Sequence, residues 1–238
     1  MNESTGRRKA MNEEEEAEEK AAISREVWIS VDSIVLPGEL SVPGRAEGLV
    51  LFAHGSGSSR HSPRNRYVAH VIREAGVGTL LFDLLTREEE RIDLQTRHLR
   101  FDIDLLARRL VGATKWVKKQ KEAALLRIGY FGASTGGGAA LVAAAEMGDE
   151  ICAVVSRGGR PDMAGEALSR VVSPSLLIVG GLDDAVIRLN EEALGKLQCV
   201  KELKIVPGAT HLFEEPGKLE EVARLAADCF QRYLRAGQ

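Results

Sequence analysis

A serine between glycines marks one place where this sequence could do covalent chemistry. The stretch GASTG at residues 132–136 follows an apolar run and precedes a run of small residues, GGAALVAAA. A G-x-S-x-G pattern between a strand and a helix holds the serine on a tight turn, with a helix N-terminus that favours a developing negative charge. The alternative is that Ser134 only caps the helix. The pattern makes Ser134 a candidate nucleophile.

A serine nucleophile needs a base to take its proton and an acid to orient that base. Candidates for both groups follow later apolar runs. Asp183 and Asp184 end the segment SLLIVGGLDD, and His211 follows KIVPGAT. The chain order Ser, Asp, His is that of α/β-hydrolases and differs from the chymotrypsin and subtilisin orders. The sequence therefore supplies all three groups, with either aspartate as the acid.

Apolar runs and amphipathic segments alternate around these residues. The runs, which are typical of strands covered on both faces, lie at residues 48–55, 77–83, 126–132, 151–156 and 175–181, with a weaker one at 200–208. Helical spacing of Ile103, Leu106 and Leu110 predicts one of the helices between them. Alternation in residues 25–44 predicts an antiparallel hairpin that breaks at Pro37-Gly38. These patterns predict a mostly parallel sheet with an antiparallel N-terminal hairpin and helices on both faces.

Composition limits the class of protein. The chain has 238 residues and a net charge of -3, which gives no global basic field for nucleic acid, and no apolar run reaches the roughly 20 residues that span a bilayer. Residues 1–22 predict an acidic flexible tail, and residues 23–238 a single domain. The charged N-terminus has no signal-peptide pattern, and three distant cysteines indicate neither disulfides nor zinc. We expect a cytoplasmic protein with a small-molecule partner, no nucleic acid and no membrane.

Five motifs together resemble the dienelactone-hydrolase-like group of α/β-hydrolases, over about residues 34–236. They are LPGELSVPG, FAHGSGSS, GYFGASTGGGAA, GGLDDAV and GATHLF. The resemblance implies an α/β-hydrolase fold. In that family the acid usually belongs to a G-x-x-D-x-x-V pattern, which Gly180, Asp183 and Val186 match, so Asp183 is favoured over Asp184. Dienelactone hydrolase itself uses a cysteine where this chain has Ser134, which puts the lactone substrate in question.

The same resemblance implies an oxyanion hole at the loop that follows the first buried run, residues 54–58. We expect the backbone N–H of Ser56 to be one donor and that of Thr135 the other, with Gly57 as the fallback. His54 ends the strand and is expected to anchor the turn. The remaining histidines, His61, His70 and His98, share no spacing that would gather them on a metal. Neither a metal nor a cofactor is predicted.

Arginines lie near the predicted site in two groups. Arg60, Arg64 and Arg66 follow the oxyanion loop, while Arg157 and Arg160 follow the run at 151–156. A cationic rim would suit an anionic substrate, so Arg157, Arg160 and Gly57 are candidate substrate-binding residues. The simpler interpretation, which we favour at this point, is that the arginines are solvated or pair with the carboxylates of residues 86–90.

These residues predict a serine hydrolase that cleaves a small carboxylic ester or lactone through an acyl-enzyme, with Ser134, His211 and Asp183 as the catalytic groups. The span from Arg157 to Pro174 is too short for a cap domain, so we expect an open site covered only by the loop at 84–99. Two alternatives remain. One is a hydrolase-fold protein that binds without turnover, and the other is a thioesterase or acyltransferase that uses the same three residues.

Overall fold

The computed structural model describes residues 23–235, so the tail predicted for residues 1–22 lies outside the described residues. Eight strands form one sheet in the order β1-β2-β4-β3-β5-β6-β7-β8. β1 pairs antiparallel with β2, and β2 with β4, whereas all other neighbours are parallel. The strands are β1 (Ile23–Val31), β2 (Ile34–Val42), β3 (Gly48–Ala53), β4 (Gly78–Phe82), β5 (Arg127–Ala133), β6 (Ile151–Arg157), β7 (Ser175–Gly180) and β8 (Lys201–Val206).

Helices cover both faces of the parallel part of the sheet. This explains why every residue of β3, β4 and β7 is buried, since a strand with two covered faces has no solvent side. The helices are α1 (Pro63–Glu74), α2 (Arg87–Thr96), α3 (Ile103–Val117), α4 (Thr135–Met147), α5 (Asp184–Lys196) and α6 (Lys218–Leu234). One core lies under α1 and α6, and the other under α3 and α4. The α/β-hydrolase fold predicted from the sequence is confirmed.

The N-terminal hairpin turns at a different place from the predicted one. β1 and β2 pair from Ile23 opposite Val42 to Val31 opposite Ile34, so the turn is at residues 32–33. The predicted break at Pro37-Gly38 is wrong, because both residues lie inside β2. Gly38 lies in a tight place, since a Cβ there would lie 3.0 Å from the side chain of Ile29 and 3.1 Å from the Leu81 carbonyl oxygen.

The segment after β4 also differs from the predicted covering loop. Residues 87–96 form α2, which begins with a capping box between Thr86 and Glu89. Two ion pairs hold the segment in place. Arg100 Nε lies 2.5 Å from Asp93 Oδ2, and Arg109 Nη2 lies 2.6 Å from Glu89 Oε1. The predicted covering loop is therefore a helix that two ion pairs hold in place.

The connection from β6 to β7 contains only the short 3₁₀ segment Pro161–Arg170. Within residues 23–235, no cap domain covers the carboxyl edge of the sheet. None of the helices described in this range is long and apolar enough to cross a membrane. The carboxyl ends of β3, β5, β7 and β8 thus meet at one open edge, where the predicted site residues lie.

Candidate active site

Ser134 lies in a strained turn between β5 and α4. Its backbone has φ 51° and ψ -123°, a region that costs a residue with a side chain about 1–3 kcal/mol. Three backbone hydrogen bonds hold the turn. The Ser134 N–H donates to the Arg157 carbonyl at 3.2 Å, and the Ser134 carbonyl accepts from the N–H groups of Gly137 at 2.9 Å and Arg160 at 3.0 Å. The turn is therefore fixed by neighbours on both sides.

Two glycines of the G-x-S-x-G pattern are there because no side chain would fit. A Cβ at Gly132 would lie 2.4 Å from the Gly136 carbonyl oxygen, and a Cβ at Gly136 would lie 2.1 Å from the Ala53 carbonyl oxygen. Gly55 is nearly as tight, since its Cβ would be 3.0 Å from the Cβ of Ser134. The turn thus packs directly against the end of β3 and the loop that follows it.

The loops after β7 and β8 bring an imidazole and a carboxylate together. His211 Nδ1 lies 2.7 Å from Asp183 Oδ2. Backbone hydrogen bonds join the two loops, from the Leu182 N–H to the Ala209 carbonyl at 2.9 Å, for example. Asp184, the alternative acid, is an exposed residue of the first turn of α5. The carboxylate that meets His211 is therefore that of Asp183.

This hydrogen bond sets the tautomer of His211. An ionised carboxylate only accepts hydrogen bonds, so Nδ1 carries the proton and Nε2 keeps its lone pair. His211 and Ser134 line the same cavity, of about 230 Å³, which we call the Arg157 cavity. An imidazole held in this way can take a proton from a hydroxyl, because the carboxylate stabilises the imidazolium that forms.

Arg157 gives this cavity a buried charge, and the more exposed Arg64 also lines it. Its side chain is only 6% exposed, with Nη2 3.3 Å from Asn65 Oδ1 and the guanidinium carbon 5.9 Å from the centre of the Phe213 ring. Its Nε has no hydrogen-bond partner within residues 23–235, and no carboxylate of that range pairs with it. Burial, with a smaller contribution from Arg64, lowers the pKa of Arg157 to about 10. The guanidinium therefore stays charged at neutral pH and lacks a counter-ion in the described part of the chain.

The other four arginines of the predicted rim have carboxylate partners, although none of these partners lies in residues 86–90, so that part of the expectation is wrong. The pairs are Arg60 with Asp83, Arg64 with Glu214, Arg66 with Glu39, and Arg160 with Asp162. Arg160 forms two hydrogen bonds to Asp162, at 2.8 Å and 2.7 Å. The structure thus separates the two candidate substrate-binding arginines. Arg157 lines the cavity, whereas Arg160 contributes its backbone N–H to the serine turn.

His54 anchors the loop after β3. Its Nε2 accepts from the Leu84 N–H at 3.1 Å, so Nδ1 must carry the proton that it donates to the Gly55 carbonyl, also at 3.1 Å. Burial lowers the pKa of His54, partly offset by the hydrogen bond to Gly55. A neutral, partly buried imidazole therefore fixes the start of the predicted oxyanion loop.

The predicted oxyanion donors lie between two cavities. Ser56 lines the Arg157 cavity and also a second one of about 280 Å³, which Thr135 and Leu94 reach as well and which we call the Leu94 cavity. Thr135 directly follows Ser134 and is buried at the start of α4. Gly57, the fallback donor, has φ 69° and is among the residues of the Leu94 cavity only.

Sequence reasoning missed the residues that position Arg157. Asn65 lies 92 residues away in sequence, and its asparagine side chain looks like any other polar residue in the first turn of a helix. For Phe213, the only signal in the sequence is that it follows His211 by two residues. Among residues 23–235, no three His, Cys, Asp or Glu side chains gather as a group that could hold a metal ion.

Comparison with known proteins places the chain in a family. A model of the dienelactone hydrolase family matches residues 45–236. A dienelactone hydrolase from Anabaena variabilis, known from its crystal structure, is 62% identical, with a TM-score of 0.88 over 90% of this chain and 99% of that one. An esterase of Pyrococcus furiosus shares the fold at 18% identity and a TM-score of 0.72, over 90% of this chain and 94% of that one.

Two curated Mycobacterium tuberculosis sequences, from different strains, carry another name. They are provisionally named phosphoribosyl transferases, and each is 57% identical to this chain over 209 residues. That alignment covers 88% of this chain and 46% of each relative. The chain therefore spans about half the length of the curated relatives that it matches.

Proposed function

The chain belongs to the dienelactone hydrolase family, and from this premise we propose that it is a serine hydrolase that cleaves a small carboxylic ester or lactone through an acyl-enzyme. The observation that carries the proposal is the His211 to Asp183 hydrogen bond of 2.7 Å, beside a strained serine turn that faces the same cavity. Family membership supports hydrolytic activity. The three residues are what this chain would use to perform it.

Acylation begins when the Ser134 hydroxyl attacks the carbonyl carbon of the ester. His211 Nε2 takes the hydroxyl proton as the new C–O bond forms, and Asp183 stabilises the imidazolium. The negative charge on the tetrahedral oxygen is held by the backbone N–H groups of Ser56 and Thr135. When the intermediate collapses, His211 returns the proton to the leaving oxygen, and the alcohol departs.

Deacylation repeats these steps with water as the nucleophile. His211 Nε2 takes a proton from the water, which attacks the acyl carbon, and then protonates Ser134 Oγ as the acid product leaves. In a lactone the leaving alcohol stays joined to the acyl group, so one hydroxy acid is released. Thioester hydrolysis and acyl transfer use the same groups and differ in the leaving atom or the acceptor.

Arg157 gives this reaction a preference for an anionic substrate. The guanidinium is buried, charged and without a carboxylate partner within residues 23–235. A substrate carboxylate or phosphate in the cavity would supply the missing counter-ion. Arg160 has no such role in the proposal, because Asp162 already binds its guanidinium.

The phosphoribosyl transferase name does not change this proposal. It belongs to proteins of which this chain covers 46%, whereas Ser134, Asp183 and His211 all lie within the stretch at 45–236 that matches the hydrolase family. We therefore assign hydrolysis to this chain and leave the named transfer to those longer proteins.

Two measurements on the purified protein test the function. Turnover of p-nitrophenyl acetate reports ester hydrolysis, and a fluorophosphonate probe reports an activated serine. We expect turnover with a burst of p-nitrophenol whenever deacylation is the slower step, and a single labelled peptide that contains Ser134. A protein that neither hydrolyses the ester nor reacts with the probe at Ser134 would support the alternative, a hydrolase-fold binding module.

A further inference from the structure

The Leu94 cavity has no part in the chemistry described so far. It lies between the oxyanion loop and the segment from α2 to α3, with a volume of about 280 Å³. Four leucines line it, namely Leu84, Leu85, Leu94 and Leu106. Ser56 and Thr135 line it too, so the proposed oxyanion donors connect it to the reacting carbonyl group.

The position of His211 decides which part of the substrate enters which cavity. His211 must reach the leaving oxygen, because its Nε2 donates the proton there. His211 lines the Arg157 cavity together with Ser134, and the leaving group therefore belongs on that side. The acyl substituent extends from the other side of the carbonyl carbon, past the oxyanion donors and toward the Leu94 cavity.

The charges around the Leu94 cavity disfavour an anionic acyl group. Glu90 lines it, as does Asp83, which Arg60 already binds. Its arginine, Arg100, is likewise bound by the buried carboxylate of Asp93, and its histidine, His54, is held neutral by a backbone hydrogen bond to Nε2. A negatively charged acyl group would meet the Glu90 carboxylate and no unpaired cation among the lining residues, whereas an uncharged apolar group would be covered by leucines.

The geometry points to an ester whose acyl part is an uncharged apolar chain or ring, bound in the Leu94 cavity, while the leaving group lies beside Arg157. This inference rests on the proposed function and adds the chemical class of the acyl group. The volume of about 280 Å³ is roughly twice that of an engineered cavity of about 150 Å³ that binds benzene, which suits acyl groups of about six to eight carbons.

The first test varies only the acyl group of p-nitrophenyl esters. We expect kcat/KM to rise at least about tenfold from acetate to hexanoate, because the added methylenes become buried. We also expect p-nitrophenyl hydrogen succinate, which carries its charge on the acyl side, to react at least about tenfold more slowly than the four-carbon butanoate of equal chain length. A flat chain-length profile, or a succinate that reacts as fast as the butanoate, would overturn the inference.

A pair of variants on one helix locates the effect. Leu94 lines the cavity and is 68% exposed, and Ile92 on the same helix is 41% exposed and lies outside the residues lining either cavity. We expect Leu94→Asp to lower the hexanoate to acetate ratio of kcat/KM at least about fivefold, since it places a charge beside the chain. Ile92→Asp should leave that ratio unchanged. Equal ratios in the two variants would place the acyl chain elsewhere.

The same data separate the two hypotheses. A protein that turns over p-nitrophenyl acetate through Ser134 but shows no acyl-length preference keeps the proposed function and loses the acyl site. A protein that turns over no ester and leaves Ser134 unlabelled loses the proposed function first. Lengthening the alcohol in a series of alkyl acetates should have a smaller effect than lengthening the acid, and the opposite order would reverse the assignment of the two cavities.

Discussion

The two cavities beside the oxyanion loop differ in whether their buried charge has a counter-ion. On the Leu94 side, Asp93 is 2% exposed and accepts hydrogen bonds from both the backbone and the side chain of Arg100. On the other side, Arg157 is 6% exposed and has one amide oxygen as its hydrogen-bond acceptor, at 3.3 Å. Within residues 23–235, the buried carboxylate has a counter-ion and the buried guanidinium has none.

The difference separates groups that hold the fold from groups that meet a ligand. A buried charge with its counter-ion fixes two segments together, and removing one partner leaves the other unpaired. A buried charge that lines a cavity and lacks a counter-ion costs free energy in the empty protein, which a ligand of opposite charge recovers. Substitutions of the paired charges on the Leu94 side should therefore change mainly stability, and those around Arg157 mainly catalysis.

The largest effect is expected from Ser134→Ala and His211→Ala. Each should lower kcat for p-nitrophenyl acetate by about 10³-fold or more, since the groups act as a unit. The melting temperature should change little, because both side chains line a cavity and neither is part of the core. The kcat of each variant is corrected for its folded fraction. If either variant retains a tenth or more of the wild-type kcat, the mechanism is contradicted.

The next effect compares two adjacent carboxylates. Asp183→Asn should lower kcat by about 10³–10⁴-fold, because an amide no longer fixes the tautomer or stabilises the imidazolium of His211. Asp184→Asn should change kcat by less than about threefold, because substitution of an exposed carboxylate that does not bind His211 usually has a small effect. Similar losses in both variants would show that the acid is shared.

Most of the fold could be predicted because apolar runs and helical spacing report burial directly. The strands at 48–53, 78–82, 127–133, 151–157 and 175–180 all fall on predicted runs. The misses come from local conflicts that tertiary contacts resolve. Pro37 and Gly38 look like a turn, yet Gly38 fills a place where a Cβ would touch Ile29 and Phe82. The helix at 87–96 has few apolar residues, and its capping box and ion pairs define it instead.

The candidate site divides in the same manner. Ser134, Asp183 and His211 follow strands, so parallel topology alone predicts that they meet. The environment of an arginine cannot be predicted in this way, because it depends on side chains from distant elements. Arg157 contacts Asn65 from α1 and Phe213 from the last loop. Arg160, three residues away, instead forms an ion pair with Asp162. The sequence alone could not distinguish these two arginines.

A third prediction therefore compares Arg157 with Arg160. The substrates are two esters with the same acyl group, one bearing a carboxylate on the alcohol and the other its neutral isostere. We expect the wild-type protein to prefer the anionic ester, and Arg157→Gln to reduce that preference by about 10–150-fold, equivalent to about 1.5–3 kcal/mol for a hydrogen-bonded charge pair. The readout is the ratio of the two kcat/KM values.

Arg160→Gln is the matched control for this ratio. Its guanidinium is bound by Asp162, and its backbone N–H, which holds the serine turn, survives the substitution. The ratio should therefore stay within about twofold of wild type, as for other surface arginines. If the neutral ester is hydrolysed as well as the anionic one, or if both variants leave the ratio unchanged, Arg157 is a structural residue and the contrast between the cavities fails.

The smallest effect on chemistry is expected on the Leu94 side, from Asp93→Asn. Burial alone would raise the pKa of Asp93, but hydrogen bonds and the charge of Arg100 outweigh it, and the pKa lies below its ordinary value of 3.8. A carboxyl with a depressed pKa stabilises the fold above that ordinary value, and the contribution is lost as the pH falls below it. At pH 7 the variant should lose about 1–3 kcal/mol of stability, or roughly 2–4 °C in melting temperature per kcal/mol for a chain of this size.

The pH dependence makes this last prediction specific. As the pH falls below that ordinary value and through the lower pKa of the folded protein, the wild-type carboxyl becomes protonated and loses the same interaction, so the melting temperatures of wild type and Asp93→Asn should converge. Glu88→Gln on the same helix is the control, because Glu88 forms an exposed pair with Arg91 and such pairs contribute little. In Asp93→Asn, kcat per active site should fall far less than in the Ser134, His211 or Asp183 variants. The active sites are counted by fluorophosphonate titration. A loss of kcat as large as theirs, or a melting-temperature difference that does not narrow as the pH falls below 3.8, would mean that Asp93 does more than fix α2 to the segment that follows it.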